Sequence, residues 1–519
     1  MGRSDSAGTG LWKLACGLAG AALIGLLLPA FAAADAMPIP PPALSGVPAI
    51  PGPLAAPAKP ASQIALLKAT PESGKVGTKF TLSGEDLPAN TDVEIVWNTA
   101  KGSYVLNPLP DTVEFVRRQL DPISVVLARA RTDASGRLKV NLTAPEDYGE
   151  VHEIYAVAGG LQIAKGGFRI SRSVTISPKE GPVGATITIK VTGLGSKPFE
   201  STASVLYDNK YAGFISATTT RGTAVVQIRA AGPVGTHHLE VGPASAAVNY
   251  LNIEQSPVYL VGKSRFTFKV TTDGGPPPAT VDWPAVVKPT VTKFTTLTGS
   301  TAAGVSARLS SGSGPILSKV GLTASGLTAG VPVDIEWVSA VGARASASGW
   351  TLVTRSLGQA SPAAGGTFET SITVPDDLGG WHAVRLVQDG KTKTEVPYYV
   401  ERSLIGIAPT KVKAGEVFQI HVKGIGWTEL DNGFAVTYDN GYIGYACGFN
   451  SQGDVTMDLV ATGGPGTHLI DLYPMIYEGR ANDDRWLTQI PMLVFKQDAP
   501  GLGLGYRLPA IRLAIEIVD

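Results

Sequence analysis

Six histidines are the side chains in this chain best suited to proton or metal chemistry, and five share one local setting. The copies read Gly149-Glu150-Val151-His152-Glu153-Ile154, Gly235-Thr236-His237-His238-Leu239, Gly380-Trp381-His382-Ala383-Val384 and Gly466-Thr467-His468-Leu469-Ile470. A metal site needs ligands that converge, and no His-x-x-x-His or Cys-x-x-Cys spacing occurs. A residue that recurs at the start of each apolar-alternating strand is read as part of a repeated fold. His152, His237, His382 and His468 are therefore expected to serve the fold of their modules, with pH-sensitive module contacts as the functional alternative.

The acidic pairs Glu146-Asp147 and Asp376-Asp377 precede two of these glycine corners. Calcium takes six or more oxygens, so two carboxylates are too few, and both pairs read as solvated turns, as does Asp483-Asp484 beside Trp486. Tyr207, Asp208 and Tyr211 and their partners Tyr438, Asp439 and Tyr442 suit either a hairpin or an aromatic and polar face for sugar rings. Trp427 and Trp486, with Tyr473 and Tyr477, make residues 403–496 the most aromatic module and the preferred ligand or partner surface; the candidate binding residues are Tyr207, Tyr211, Trp427, Tyr438, Tyr442, Tyr473 and Trp486. No Gly-x-Ser-x-Gly elbow, phosphate loop, dinucleotide fingerprint or haem motif is present. No catalytic, cofactor or metal residue is assigned. A hydrolase whose site is assembled between modules stays open as a second alternative.

The elements that must hold these residues are strands. In Val93-Glu94-Ile95-Val96-Trp97, period two puts Val93, Ile95 and Trp97 on one face; Val333, Ile335 and Trp337 repeat this. In Tyr438-Asp439-Asn440-Gly441-Tyr442, Asn-Gly reads as a two-residue hairpin turn. Val113–Val126 and Leu508–Ile517 are the only weak helix candidates beyond the N-terminus.

The motifs recur in order, which marks a duplicated pair. Module A (63–172) carries Trp97 and Pro145-Glu146-Asp147-Tyr148-Gly149; module A′ (286–402) answers with Trp337 and Pro375-Asp376-Asp377-Leu378-Gly379. Module B (173–256) carries Tyr207-Asp208-Asn209 and Gly232-Pro233-Val234-Gly235-Thr236-His237; module B′ (403–496) answers with Tyr438-Asp439-Asn440 and Gly464-Pro465-Gly466-Thr467-His468. A Pro/Gly-rich connector is expected at 257–285 and a C-terminal tail at 497–519. The fold class is all-β: tandem immunoglobulin-like sandwiches, four in the order A-B-A′-B′.

Ser177-Pro178-Lys179-Glu180-Gly181-Pro182-Val183-Gly184 running to Gly193, followed by the late strand from Gly235 to Val241, resembles the IPT/TIG immunoglobulin-like domains. Pro71 to Gly77 and Gly84 resemble the same pattern, whereas residues 403–496 keep Pro409 and Gly415 but lack the intervening glycine, and 286–402 lack a clean copy. The resemblance implies sandwich modules used as spacers or interaction units, and transfers no catalytic residue.

Arg3 and Lys13, then the apolar run Leu14–Leu28 and Ala30-Phe31-Ala32-Ala33-Ala34-Asp35-Ala36, read as an export signal over 1–36. An uncleaved anchor is the rival. Removal discards Cys16 and leaves Cys447 alone, so an intrachain disulfide is impossible and each module is expected to rely on its own core. Cys447 reads as a buried thiol, or else an intermolecular bridge. Residues 37–62 are Pro- and Ala-rich and are expected to form an extended spacer. The 43 basic and 43 acidic side chains cancel, which gives no footprint for nucleic acid. The expected role is an exported non-catalytic scaffold or adhesion-type protein, periplasmic, cell-surface or secreted, with no cofactor. Its partner is an unknown protein or a cell-surface glycan, and it meets the membrane only through the N-terminal signal or anchor.

Overall fold

The computed structural model describes residues 49–50, 56–57, 64–108, 113–197, 200–245, 248–249, 251, 262–281, 301–342, 350–426, 433–448, 452–474, 490–494, 498 and 511–519. The export signal, Cys16, Trp427, Tyr477, Asp483-Asp484 and Trp486 lie outside them. Regular structure among the described residues is strand.

Segment B shows the template most plainly. In Thr186–Thr192, alternation sends Ile187, Ile189 and Val191 to zero exposure, as period two requires of a half-buried strand. Its sheet runs Ser173–Ser177, Thr186–Thr192, Ala224–Arg229. The facing sheet runs Glu180–Gly181, Ser264–Val270, Gly235–Ser245, Thr202–Tyr207, Lys210–Ser216. Its first pairing is parallel and the rest antiparallel. Two such layers, with the first strand divided between them, make an immunoglobulin-like sandwich.

The same order recurs along the chain. In segment B′, Ser403–Ala408, Val417–Lys423 and Val455–Val460 face Lys411–Lys413, Ile511–Val518, Gly466–Pro474, Gly433–Tyr438 and Gly441–Cys447. In segment A′, Ser306–Leu309, Lys319–Ser325 and Phe368–Thr373 face Ser313–Pro315, Lys391–Glu401, Gly380–Gln388, Val333–Gly342 and Trp350–Ala360. Segment A repeats it with Ala65–Thr70, Lys79–Gly84 and Leu138–Thr143 in one layer, and its longest hairpin, Asp92–Pro108 with Val113–Arg131, in the other. The fold is therefore all-β, built of tandem immunoglobulin-like sandwiches. Val93, Ile95 and Trp97, and Val333, Ile335 and Trp337, all face the core at 2% exposure or less. Each tryptophan buries roughly 150–250 Å², about 4–6 kcal/mol of apolar transfer.

Several expectations are corrected. Neither helix candidate forms: Val113–Arg131 and Ile511–Val518 are strands. The latter is the strand that closes the B′ sheet, so the expected tail belongs to that sandwich. Likewise Ser264–Val270, inside the expected connector, completes the B sheet. Both were missed because long intervening stretches separate each closing strand from the rest of its sandwich. The expected spacer is not free of the fold either: Ala49–Ile50 pair with Val125 and Ser124, and Ala56–Pro57 with Leu161 and Gln162.

The cores are also not independent. One apolar cluster, centred on segment B, takes in Tyr104 of A, Trp381 and Tyr399 of A′, and Leu469 and Ala514 of B′. Polar contacts bind the same junctions. The Gly149 amide donates to the Leu194 carbonyl at 2.9 Å between A and B, and Gly379 to Ile425 at 2.9 Å between A′ and B′. A Cβ at Gly149 or Gly379 would collide with the carbonyl of Gly193 or Gly424, so both corners require glycine for the approach. Asp498, fully buried, accepts from Tyr104 Oη (2.7 Å), Ser216 Oγ (2.6 Å) and the Thr219 amide (2.6 Å), joining its own segment to A and B.

Candidate functional site

Each recurrent histidine stacks on the aromatic residue of its sandwich and bonds through both ring nitrogens. In segment A the His152 ring lies 4.4 Å from Trp97, with Nδ1 2.8 Å from the Asn98 carbonyl and Nε2 2.7 Å from that of Tyr148. In A′, His382 stacks on Trp337 at 4.7 Å and meets the carbonyls of Val338 (3.1 Å) and Leu378 (2.8 Å). Beneath each pair sits a carboxylate with no exposure. Trp97 Nε1 donates to Asp147 Oδ2 at 2.8 Å, and Trp337 Nε1 to Asp377 Oδ2 at 2.9 Å. The Tyr148 and Leu378 amides fill the other oxygens.

That corrects the solvated-turn reading for Asp147 and Asp377, while Glu146 and Asp376 beside them are exposed. An indole N–H buried in a sandwich core needs an acceptor, and the acidic corner supplies it. Burial alone raises Asp377; the His382 charge and hydrogen bonds from Gln452, Ser339 and the Leu378 amide outweigh it, and its pKa falls below 3.8.

Segments B and B′ use tyrosine instead. Tyr207 and Tyr438 stack on His237 and His468 at 5.4 and 5.5 Å. Their hydroxyls donate to the carbonyls of Ala231 and Thr462, each at 2.8 Å. Asp208 and Asp439 take the histidine Nδ1 at 2.6 and 2.7 Å, while Nε2 faces the carbonyls of Pro233 and Gly464. Both aspartates stand at positive φ, as do Asn209 and Asn440. The hairpin turn is therefore Asp-Asn rather than the expected Asn-Gly, and Gly441 already pairs with Tyr438 in the ladder. The shift aims the carboxylate at the ring. At His152, His237, His382 and His468 alike, both ring nitrogens face an acceptor oxygen.

His468 has a pH consequence. Burial by itself lowers its pKa, but the hydrogen bonds it makes to Asp439 and the Gly464 carbonyl outweigh that, and the value rises above 6.5. A folded-state pKa raised above the unfolded one gives stability fully present below about pH 6.5 and lost as pH climbs through the folded value. The stability gap between the native chain and His468→Gln is therefore expected to be largest at about pH 5.5–6.5. It should narrow as pH climbs above about 6.5, read by urea unfolding at each pH.

The candidate aromatic residues divide. Tyr207 and Tyr473 are 2% and 5% exposed and lie inside, while Tyr438, 9% exposed, contributes to the wall of a groove. Tyr211 and Tyr442 are half-buried and come together where the B and B′ hairpins meet. With Lys210, Ile443 and Val460 they line a groove of about 530 Å³. Cys447, half-buried, has its thiol pKa raised by burial, which disfavours the thiolate and its reactions. Among the described residues no group of three or more His, Cys, Asp or Glu is placed to hold a metal ion.

Sequence reasoning missed the buried ion pair between B and B′. Arg229 Nε donates to Asp471 Oδ2 at 3.2 Å, and Nη2 lies 2.6 Å from Oδ1. Nη2 also donates to the carbonyls of Ile470 (3.0 Å) and Leu513 (2.7 Å). Asn440 Nδ2 donates to the Arg229 carbonyl at 2.7 Å. The two charged residues stand far apart in sequence, in strands that look alike, so no local pattern marks them.

No protein-family model matches the chain, and no curated protein does. Among solved structures, the chain is similar to a Salmonella alpha-2-macroglobulin reacted with methylamine, at 10% identity and TM-score 0.17. That match takes in 88% of this chain but only 31% of the macroglobulin. A putative membrane anchored protein from Corynebacterium diphtheriae matches at 10% identity and TM-score 0.17, over 65% of this chain and 91% of its own. The N-terminal eight Ig domains of Down Syndrome Cell Adhesion Molecule match at 12% identity and TM-score 0.19, over 90% and 66%. At such scores these likenesses carry no argument; the immunoglobulin-like assignment stands on the strand order.

Proposed function

We propose that the chain is an exported, non-catalytic scaffold of four IPT/TIG-type modules that presents edges and loops to a protein partner. The observation that carries this reading is the use made of its polar chemistry. The recurrent histidines and their aspartates hold rings and turns, while buried contacts such as Arg229–Asp471 hold modules to one another. His468 illustrates the point against a hydrolase: Asp439 and the Gly464 carbonyl occupy both its nitrogens, leaving neither to activate a nucleophile. A scaffold held at several junctions keeps its exposed surfaces in fixed relation, which lowers the ordering cost of binding. Crosslinking in the native envelope followed by purification is expected to recover one defined protein partner in stoichiometric yield. Recovery of the chain alone would count against the reading.

The Tyr211–Tyr442 groove favours a second reading, glycan binding, since two half-exposed rings beside Lys210 offer stacking faces and a donor. In that case Tyr442→Ala weakens binding to cell-wall polysaccharide at least tenfold. Absence of any binding by the native chain removes this reading.

A further inference from the structure

The two Tyr-Asp-Asn hairpins end in edge strands of the same construction that are treated differently. In segment B, Lys210–Ser216 carries an added strand: the Phe214 amide donates to the Pro491 carbonyl at 2.9 Å, and the Leu493 amide to the Phe214 carbonyl at 3.0 Å. Phe214 and Met492 thereby form a parallel bridge. Gly213 makes room for it, because a Cβ there would lie 2.5 Å from the Pro491 carbonyl. Under this segment Ala212 and Phe214 are 2% and 1% exposed.

The ladder register equates Ala212, Gly213 and Phe214 with Ile443, Gly444 and Tyr445 of B′. Gly444 repeats the Gly213 backbone, φ 148° against 149°. Among the described residues, however, a Cβ on Gly444 would meet no atom within 4 Å, and Ile443 and Tyr445 are 52% and 47% exposed. Val460, lining the neighbouring groove, is 50% exposed. Gly441-Tyr442-Ile443-Gly444-Tyr445-Ala446-Cys447 contains no charge and no proline, the residues by which sheet edges are ordinarily protected from pairing.

We propose that the Ile443–Tyr445 edge takes an extended, uncharged apolar peptide of a partner protein as an added parallel strand, as Phe214 takes Pro491–Leu493 within the chain. Main-chain bonds at Tyr445 supply the pairing, the bare Gly444 admits the incoming carbonyl, and Ile443, Tyr445 and Val460 cover its alternate side chains. The segment on Phe214 sets the chemistry of the occupant: a proline-led apolar run without charge. This inference rests on the scaffold reading only for its biological use.

The test uses the full chain and a fluorescent peptide with the sequence of Ile490–Val494, flanked by lysines for solubility. Saturable binding is expected, weakened at least tenfold by Tyr445→Pro, which removes the outward donor, and by Tyr445→Lys, which keeps the backbone and adds charge. Leu66→Lys, on an exposed residue of segment A, leaves it unchanged. Bound peptide slows exchange of the Tyr445 amide at least tenfold, while the Phe214 amide is slow throughout. The proposal is overturned by absence of saturable binding, by undiminished binding to both Tyr445 variants, or by a Tyr445 amide already protected in the free chain. Self-association through this edge that the peptide cannot displace also overturns it, making a second copy the occupant. Peptide binding without any partner from the envelope leaves the edge standing and removes the scaffold reading instead.

Discussion

Arg229→Ala is expected to lower the midpoint of the transition that unfolds B and B′ by an amount equivalent to about 3–5 kcal/mol. Removing one member of a buried pair leaves the other charged and uncompensated, which costs that much in comparable sites. Asp471 is 2% exposed and Arg229 4%, so water cannot take over the lost contact. The Ile470 and Leu513 carbonyls lose a donor as well. The apolar double variant Arg229→Met/Asp471→Leu should regain most of the loss, because it removes both charges and keeps the volume. Urea unfolding of the three proteins checks this. Equal stability of the native chain and Arg229→Ala would mean that the pair is solvated in solution.

Asp147→Ala and Asp377→Ala should each cost about 2–6 kcal/mol, through a different mechanism. Each removes a buried acceptor from an indole N–H and from a backbone amide, and each orphaned donor costs about 1–3 kcal/mol. Asparagine at either position keeps one oxygen and should cost less. The two sites then diverge. Asp147 also accepts from Thr99 of its own sandwich at 2.7 Å, whereas Asp377 accepts from Gln452 of segment B′ at 2.7 Å. Asp147→Ala is therefore expected to loosen segment A alone. Asp377→Ala should in addition speed amide exchange around Gln452. The measurement is urea unfolding with peptide-level hydrogen exchange, and identical exchange patterns for the two variants would contradict the assignment.

What the chain discloses before folding follows from the range of the interaction. Alternation in Val93–Trp97 and Val333–Trp337 reports burial directly, since side-chain direction has period two. The immunoglobulin-like class follows from many such runs with recurrent corners. Asp147 beneath Trp97 was not legible, although both motifs recur together in Asp377 and Trp337, because an acidic residue beside a turn glycine reads as solvated. The co-occurrence was the available signal. Closing strands Ser264–Val270 and Ile511–Val518 were lost to their distance from their sandwiches. The aromatic surface was half legible: Tyr211, Tyr438 and Tyr442 meet at a groove, while Tyr207 and Tyr473 are inside. Arg229–Asp471 and the Asp498 contacts join residues more than 200 positions apart, and nothing local announces them.

The sandwiches are locked to one another rather than strung as independent beads. Hydrogen exchange of the full chain across a urea series, followed in Ala224–Arg229 of B and in Gly466–Pro474 and Ile511–Val518 of B′, tests it most directly. These strands are expected to open with one free energy and one urea dependence in the native chain, and to separate in Arg229→Ala. Separate opening of B and B′ in the native chain would contradict it.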